Sequence, residues 1–144
     1  MTARPSTLSS TPRFVQAILD WRGTGLIARL ALSSAYLLGG IVKLSDFPGA
    51  VAEQAHFHMP YPALVAVLTI GVELIGPALI LSGRMVWLGA GMLGVFTLLA
   101  AITANGFWAM APGPERFAAT NAFFEHLGLV GGFLALALLA GRAD

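Results

Sequence analysis

The sequence predicts an all-α, polytopic membrane protein: a four-transmembrane-helix antiparallel bundle with both termini cytoplasmic. Its 144 residues are 57% hydrophobic and only 10% charged, whereas soluble domains average about 25% charged residues. Four apolar stretches reach the length of about 18 residues that a helix needs to cross a bilayer. They are Leu26–Leu44, Ala63–Ser82, Met85–Met110 and Ala122–Gly141. The short connection at Gly83–Arg84 makes the second and third spans antiparallel neighbours.

The composition also excludes several classes of function. The formal net charge is +1 and the eight basic residues are scattered, so no nucleic-acid partner is expected. The chain has no cysteine and only three histidines, so we expect neither an iron–sulfur cluster nor haem. The lipid bilayer is instead the partner that the composition indicates.

The basic residues and tryptophans predict how the chain lies in the bilayer. Four spans place both termini and the connection between the second and third spans on one side of the membrane. That side carries Arg4, Arg13, Arg22, Arg84 and Arg142, and the positive-inside rule makes it cytoplasmic. Trp87 and Trp108, near the two ends of the third span, lie about 31 Å apart if one helix contains both. This separation matches the hydrocarbon thickness of about 30 Å, as expected if each indole lies in one of the two interfacial belts of the membrane.

We expect residues 1–25 to form a cytoplasmic tail and residues 26–144 to form the transmembrane domain. Within the tail, Phe14, Ile18 and Trp21 follow the i, i+4, i+7 spacing of an amphipathic helix. The spacing favours a short helix on the membrane surface. An unstructured tail fits equally well at this length.

The first external loop, at about Ser45–Pro62, also carries a helix signal. Asp46 can cap a helix that begins near Pro48 and covers Ala50–Ala55. Together with the second external loop, at Ala111–Asn121, this segment is expected to cover the outer mouth of the bundle.

Glu73 is the first candidate for a functional site. It lies about 16 Å into the second span, where a carboxylate is costly unless it is protonated, paired or facing water. Four residues on, Pro77 lacks the amide hydrogen that would bond the carbonyl of Glu73, and Gly76 permits close approach of a neighbouring helix. The pattern predicts a functional pocket, with a proline kink and one interhelical hydrogen bond as the structural alternative.

Two cations can compensate Glu73, and the sequence leaves the choice between them open. Arg29 lies near the cytoplasmic end of the first span and Lys43 near its external end, each roughly 10 to 15 Å in height from Glu73. Either can instead place its charge in the headgroup region.

A second polar group lies at the external ends of the last two spans. Its members are Asn105, Asn121, Glu125 and His126. We expect them to face an external cavity together with Lys43. The histidines, including His56 and His58 in the first external loop, lack the tight spacing of metal ligands, so we expect no metal site. They are interpreted as hydrogen-bonding groups.

Two runs of residues resemble a known family. Residues 28–44, ARLALSSAYLLGGIVKL, and residues 71–83, GVELIGPALILSG, are similar to the first and second spans of DoxX-type membrane proteins. The resemblance extends over about residues 24–141. Pro77 departs from it, because the family more often has a small residue there. The family positions carried over are Arg29, Gly40, Lys43, Glu73, Gly76 and Gly83.

The resemblance implies a bacterial inner-membrane four-helix bundle that is similar to the small membrane subunit of thiosulfate:quinone oxidoreductase. Members of the family occur in systems linked to sulfur oxidation and to quinone and oxidative stress. Our first hypothesis is therefore a membrane subunit of a quinone-linked redox or oxidative/sulfur-stress system that takes its electrons from a protein partner. Glu73 or the Glu125–His126 pair exchanges protons, and Lys43 or Arg29 orients a quinone oxygen. The candidate pocket consists of Arg29, Lys43, Glu73, Asn105, Glu125 and His126.

Two other functions fit the same sequence. A non-enzymatic anchor or maturation partner for another protein would act through its external loops, including His56–Tyr61. A small-solute or metal transporter would use the midplane carboxylate and the proline-broken helix, although no inverted repeat is visible.

Small-residue faces such as Gly128-x-x-x-Gly132 are typical of close helix packing and, where one faces outward, of a homodimer.

Overall fold

The computed structural model describes residues 11–141, and its regular structure there is entirely helical. The helices are α1 (Arg13–Asp20), α2 (Arg22–Ser45), α3 (Phe47–His56), α4 (Pro62–Ser82), α5 (Val86–Ala104) and α6 (Pro114–Ala140), with a short 3-10 helix at Phe107–Ala109. The segments that contain α2, α4, α5 and α6 are long and apolar enough to cross a membrane, with mean hydropathies between 1.6 and 2.3. The all-α fold with four membrane spans is confirmed.

The last span begins earlier than its apolar stretch suggests. We expected it to start at Ala122, but α6 starts at Pro114. Proline is well tolerated in the first turn of a helix, and the polar residues that follow it favour helix without being apolar. Most of the predicted loop at Ala111–Asn121 is therefore helical.

The third span extends to Ala109, one residue short of the predicted Met110, but it is not a single α-helix. Its helix, α5, stops at Ala104, where Asn105 leaves the helical conformation with φ −118° and ψ 41°. Trp108 belongs to the separate 3-10 helix that follows. Trp87 and Trp108 are therefore not on one continuous α-helix, and the separation of about 31 Å expected for such a helix does not apply.

The segments outside the four spans also contain helices. The side chain of Asp46 accepts a hydrogen bond of 3.0 Å from the amide of Gly49 and so caps α3 as expected. The predicted amphipathic stretch forms α1, in which Phe14 and Ile18 are exposed. The position of α1 at the membrane surface and the cytoplasmic orientation stay predictions. The first ten residues and residues 142–144, including Arg4 and Arg142, lie outside the described part of the chain.

The bundle packs in the order α2, α4, α5, α6, and α2 and α6 contact each other least among these neighbours. Its core is a cluster of buried side chains that includes Tyr36, Ile80, Leu93 and Phe133. Many leucines point outward instead, which places apolar surface against the lipid. We call the end of the bundle that carries α3 the α3 side, and the opposite end, where α2 begins and α6 stops, the terminal side.

Two glycines let α4 and α5 approach each other closely. A Cβ atom added at Gly89 would lie 2.6 Å from the carbonyl oxygen of Gly76. One added at Gly76 would lie 2.8 Å from Cγ of Leu93. Neither distance leaves room for a methyl group, so the spacing of these helices depends on both glycines.

We expect Gly89→Ala to lower the free energy of unfolding by about 1 to 3 kcal/mol, because the methyl group meets backbone that has to move. Gly91→Ala on the same helix is the matched control, since a Cβ there meets nothing within 4 Å. That change should be neutral or stabilise the helix by up to about 1 kcal/mol. Equilibrium unfolding in mixed detergent micelles measures both, and equal stabilities of the two variants would refute the close approach.

Candidate functional site

A buried ion pair joins α2 to α4. The Nζ atom of Lys43 lies 3.2 Å from Oε1 and 3.3 Å from Oε2 of Glu73 and donates hydrogen bonds to both. Glu73 is 6% exposed. The side chain of Lys43 is 17% exposed. The two oxygens of one carboxylate thus share one ammonium group inside the protein, which satisfies the requirement that a buried charge be paired.

The ion pair forms because two glycines bring α2 close to α4. A Cβ atom at Gly39 would lie 3.3 Å from both carboxylate oxygens of Glu73. One at Gly40 would lie 2.7 Å from Cδ2 of Leu74. The carboxylate therefore lies directly over the bare backbone of α2. Lys43 is four residues after Gly39, on the same helix face, and reaches it from there.

A second carboxylate connects the ion pair to the surface. Oε2 of Glu53, on α3, lies 3.8 Å from Nζ of Lys43, and the Glu53 side chain is 45% exposed. Lys43 thus stands between a buried and a half-exposed carboxylate. We did not predict Glu53 as part of the site. The cap at Asp46 indicated where α3 begins, but not which of its faces turns toward Lys43.

Arg29 has a different partner from Glu73. One Nη atom of Arg29 donates a hydrogen bond of 3.5 Å to the carbonyl oxygen of Ile80. This carbonyl also accepts a hydrogen bond of 3.3 Å from the amide of Gly83. It belongs to the last turn of α4, where a cation is favoured. The choice left open by the sequence is therefore resolved: Lys43 pairs with Glu73, and Arg29 binds the end of α4.

The second predicted polar group forms no hydrogen bond or ion pair with this site among the described residues. Asn105 is half-buried at the end of α5, and Glu125 is exposed on α6. The Nδ1 atom of His126 lies 2.7 Å from the carbonyl oxygen of Ala122 in its own helix. Among residues 11–141, none of the three forms a hydrogen bond or ion pair with Lys43 or Glu73. The same part of the chain contains no group of three or more histidine and acidic side chains arranged to hold a metal ion.

Two hydroxyl groups lie in the bundle core beside Leu93, the residue that packs against Gly76. The hydroxyl of Tyr36 lies 2.5 Å from Oγ1 of Thr97. The hydroxyl of Thr97 donates a hydrogen bond of 2.6 Å to the carbonyl oxygen of Leu93. Because a hydroxyl has only one hydrogen to donate, Tyr36 is the donor in the bond between Tyr36 and Thr97. These bonds join α2 to α5 across the bundle. The sequence alone does not indicate these bonds, because an isolated tyrosine or threonine in an apolar helix belongs to no recognisable pattern.

Comparison with known proteins decides the family. Residues 24–106 match the DoxX family, which is more than half of the chain. The chain belongs to the DoxX family. The match includes Lys43 and Glu73, whereas Glu125 and His126 lie beyond its end.

A relative of this DoxX protein is the inner membrane protein YphA of Escherichia coli. The two are 29% identical over 116 residues, which cover 78% of this chain and 80% of YphA. No solved structure matches the chain. The family resemblance that residues 28–44 and 71–83 indicated is therefore confirmed, with the family match ending at residue 106 rather than extending to residue 141.

The arrangement in this DoxX protein is suited to proton transfer. Glu73 can accept or release a proton, and its attraction to the ammonium group of Lys43 depends on its charge. A change of charge at Glu73 would thus alter how strongly Lys43 is held by Glu53. The three side chains form one electrostatically coupled group that extends from the interior of the bundle to the surface of its α3 side.

Proposed function

We propose that this DoxX protein is a multi-pass protein of the bacterial inner membrane and the membrane subunit of a quinone-linked redox system. The observation that carries the proposal is the buried Lys43–Glu73 pair, coupled through Lys43 to the half-exposed Glu53. The name of its relative, an inner membrane protein, supports the location. The family resemblance supports the link to quinones.

The chemistry of quinones matches the groups at this site. Reduction of a quinone to a quinol takes up electrons and protons, and reoxidation releases both. Glu73 supplies or accepts a proton inside the bundle, as a positioned general acid or base. Lys43 donates a hydrogen bond to a quinone oxygen. Glu53, being half-exposed, exchanges protons with water on the α3 side.

The electrons come from a protein partner in this proposal. The sequence contains no cysteine, so it has no thiolate ligand for an iron–sulfur cluster, and it has only three histidines. The protein therefore acts as the proton-exchanging and quinone-binding part of a larger assembly.

Quinone binding to the purified protein tests the proposal. Calorimetry with decylubiquinone, with and without proteins that copurify from native membranes, should give saturable binding to the wild type. The double variant Lys43→Met/Glu73→Gln, which removes both charges, should bind at least about tenfold more weakly, as expected for the loss of charge-assisted hydrogen bonds. Glu125→Gln is the matched control, because that carboxylate is exposed and is not among the described partners of Lys43, which are Glu53 and Glu73. Absence of binding, or equal affinities of all three proteins, would reject the proposal.

One observation favours a second candidate, an anchor or maturation partner for another protein. In the loop between α3 and α4, His58 and Tyr61 have φ values of 55° and 52°. Tyr61 is 79% exposed. Strained residues of this kind often occur at binding loops. In this case Glu73→Gln would leave function intact while changes at 56–61 abolish it, and the redox role requires the opposite result.

A further inference from the structure

A cavity lies between α3, α4 and α5 on the α3 side of the bundle. Its volume is about 280 Å³. Its walls are mostly apolar, and no charged side chain from residues 11–141 lines it. The residues that line it include Gln54, Phe57, Thr69, Phe96, Ala100 and Thr103. We refer to it as the α3 cavity.

Two polar side chains in the wall of this cavity have no partner. Gln54 is 8% exposed and Thr69 is 7% exposed. Within residues 11–141, neither the amide of Gln54 nor the hydroxyl of Thr69 forms a side-chain hydrogen bond. Their polar atoms are not fully buried: Oγ of Ser33 is the one fully buried side-chain polar atom without a partner among residues 11–141. A polar group that neither water nor a ligand satisfies is nevertheless costly in an apolar wall. Thr103 differs, because its hydroxyl donates to the carbonyl oxygen of Leu99 in its own helix.

We propose that the α3 cavity binds a neutral, mainly apolar molecule of about one ring in size that carries a carbonyl or hydroxyl oxygen. The volume lies near the lower end of the roughly 300 to 1,000 Å³ typical of small-molecule sites. The rings of Phe57 and Phe96 provide flat apolar surface. The amide of Gln54 and the hydroxyl of Thr69 donate hydrogen bonds to the ligand oxygen. A charged ligand is disfavoured, because the described residues of the walls provide no counter-charge.

Water alone does not account for this site. A cavity of this size has room for several water molecules, at about 30 Å³ each, and each needs two to four polar partners. Gln54, Thr69 and Thr103 are the polar side chains among the lining residues that the structure describes, and the hydroxyl of Thr103 already donates to Leu99. An apolar molecule with one polar end satisfies the rest of the surface as well as Gln54 and Thr69.

The inference does not rest on the redox role proposed above. Thr69 is one helical turn before Glu73, so a bound molecule lies close to the ion pair. Binding in the α3 cavity nevertheless requires neither electrons nor a change of charge at Glu73. The double variant Lys43→Met/Glu73→Gln should retain it.

Fluorine NMR on the full-length protein in detergent provides the test. The probe is para-fluoroacetophenone, which carries one carbonyl group, and the comparison compound is para-fluoroethylbenzene, which has nearly the same shape without the oxygen. Wild-type protein should shift the ketone resonance in a saturable manner. The hydrocarbon should bind roughly three- to tenfold more weakly, because it forms no hydrogen bond.

Four variants assign the binding to the cavity. Thr69→Val should weaken ketone binding roughly three- to tenfold, whereas Thr103→Val should not, because that hydroxyl is already satisfied by α5. Ala100→Leu should abolish binding by filling the cavity, with Ala78→Leu at an exposed position of α4 as its control. Thermal unfolding of each variant establishes that it is folded.

The outcomes separate the alternatives. Equal affinity for the ketone and the hydrocarbon would overturn the proposal in favour of a purely apolar occupant such as a lipid chain. No saturable shift in the wild type would overturn it in favour of a water-filled or empty cavity. Unchanged binding in Ala100→Leu would place the probe elsewhere and would also overturn it. Absence of decylubiquinone binding together with intact ketone binding would count against the redox role alone.

Discussion

Replacement of Lys43 by methionine is expected to lower the free energy of unfolding by about 3 to 5 kcal/mol. The variant keeps the length of the side chain but leaves the carboxylate of Glu73 buried without its ammonium partner, at 6% exposure. A group in this state has to bind a proton or draw in water, and both destabilise the native bundle. Equilibrium unfolding in mixed detergent micelles measures the change.

Two further variants identify the cause. Addition of Glu73→Gln to Lys43→Met should restore most of the lost stability, because the stranded charge is removed with its partner. Glu53→Gln should change stability by at most about 1 kcal/mol, since this carboxylate is half-exposed and 3.8 Å from Lys43. If Lys43→Met is as stable as the wild type, the ion pair is not a structural element of the bundle.

Phe133→Ala is expected to cost about 3 to 5 kcal/mol, the usual range for deletion of a large core side chain. Phe133 is 1% exposed on α6, and its ring meets that of Tyr36 edge-on at 5.4 Å between centroids. The deletion leaves a void where α2, α5 and α6 converge. Thermal and detergent-induced unfolding should both register the loss.

Phe124 provides the matched control for this prediction. It lies on the same helix, but its side chain is 59% exposed and faces outward. Phe124→Ala should change stability by less than about 1 kcal/mol, because an outward-facing phenyl ring gains little from burial against the protein. Similar losses in the two variants would mean that α6 does not pack against α2 and α5 as described.

Hydropathy and depth predicted the parts of this fold that depend on local chemistry. A helix that crosses a bilayer must be apolar over its whole length, so α4 and the predicted span at Ala63–Ser82 nearly coincide. Glu73 was also identifiable, because a carboxylate near the middle of such a helix requires an explanation wherever it occurs.

Helix ends were harder to predict, because the apolar stretch and the helix that contains it begin and end at different residues. Pro114 starts α6 in a polar stretch that has no apolar signal. Asn105 and Gly106 end the α5 helix inside a stretch that is still apolar on average. At both places backbone preference decides the boundary rather than affinity for the bilayer.

The partner of Glu73 was beyond sequence reasoning for a different reason. Arg29 and Lys43 lie at similar heights from Glu73, so depth alone does not distinguish them. The choice depends on lateral packing: Gly39 brings the carboxylate onto α2 near Lys43, while the last turn of α4 offers Arg29 a carbonyl oxygen. Glu53 and the α3 cavity likewise depend on how α3 packs against α4, which no local pattern specifies.

The most direct test of the proposed redox role is whether Glu73 changes its protonation when a bound quinone is reduced. Infrared difference spectroscopy with decylubiquinone, reduced at an electrode in the presence of the purified protein, measures this without the partner protein. We expect a carboxyl band in the wild type and in Glu125→Gln that is absent from Glu73→Gln. The same band in all three proteins, or no carboxyl band in any of them, would contradict the proposed redox role.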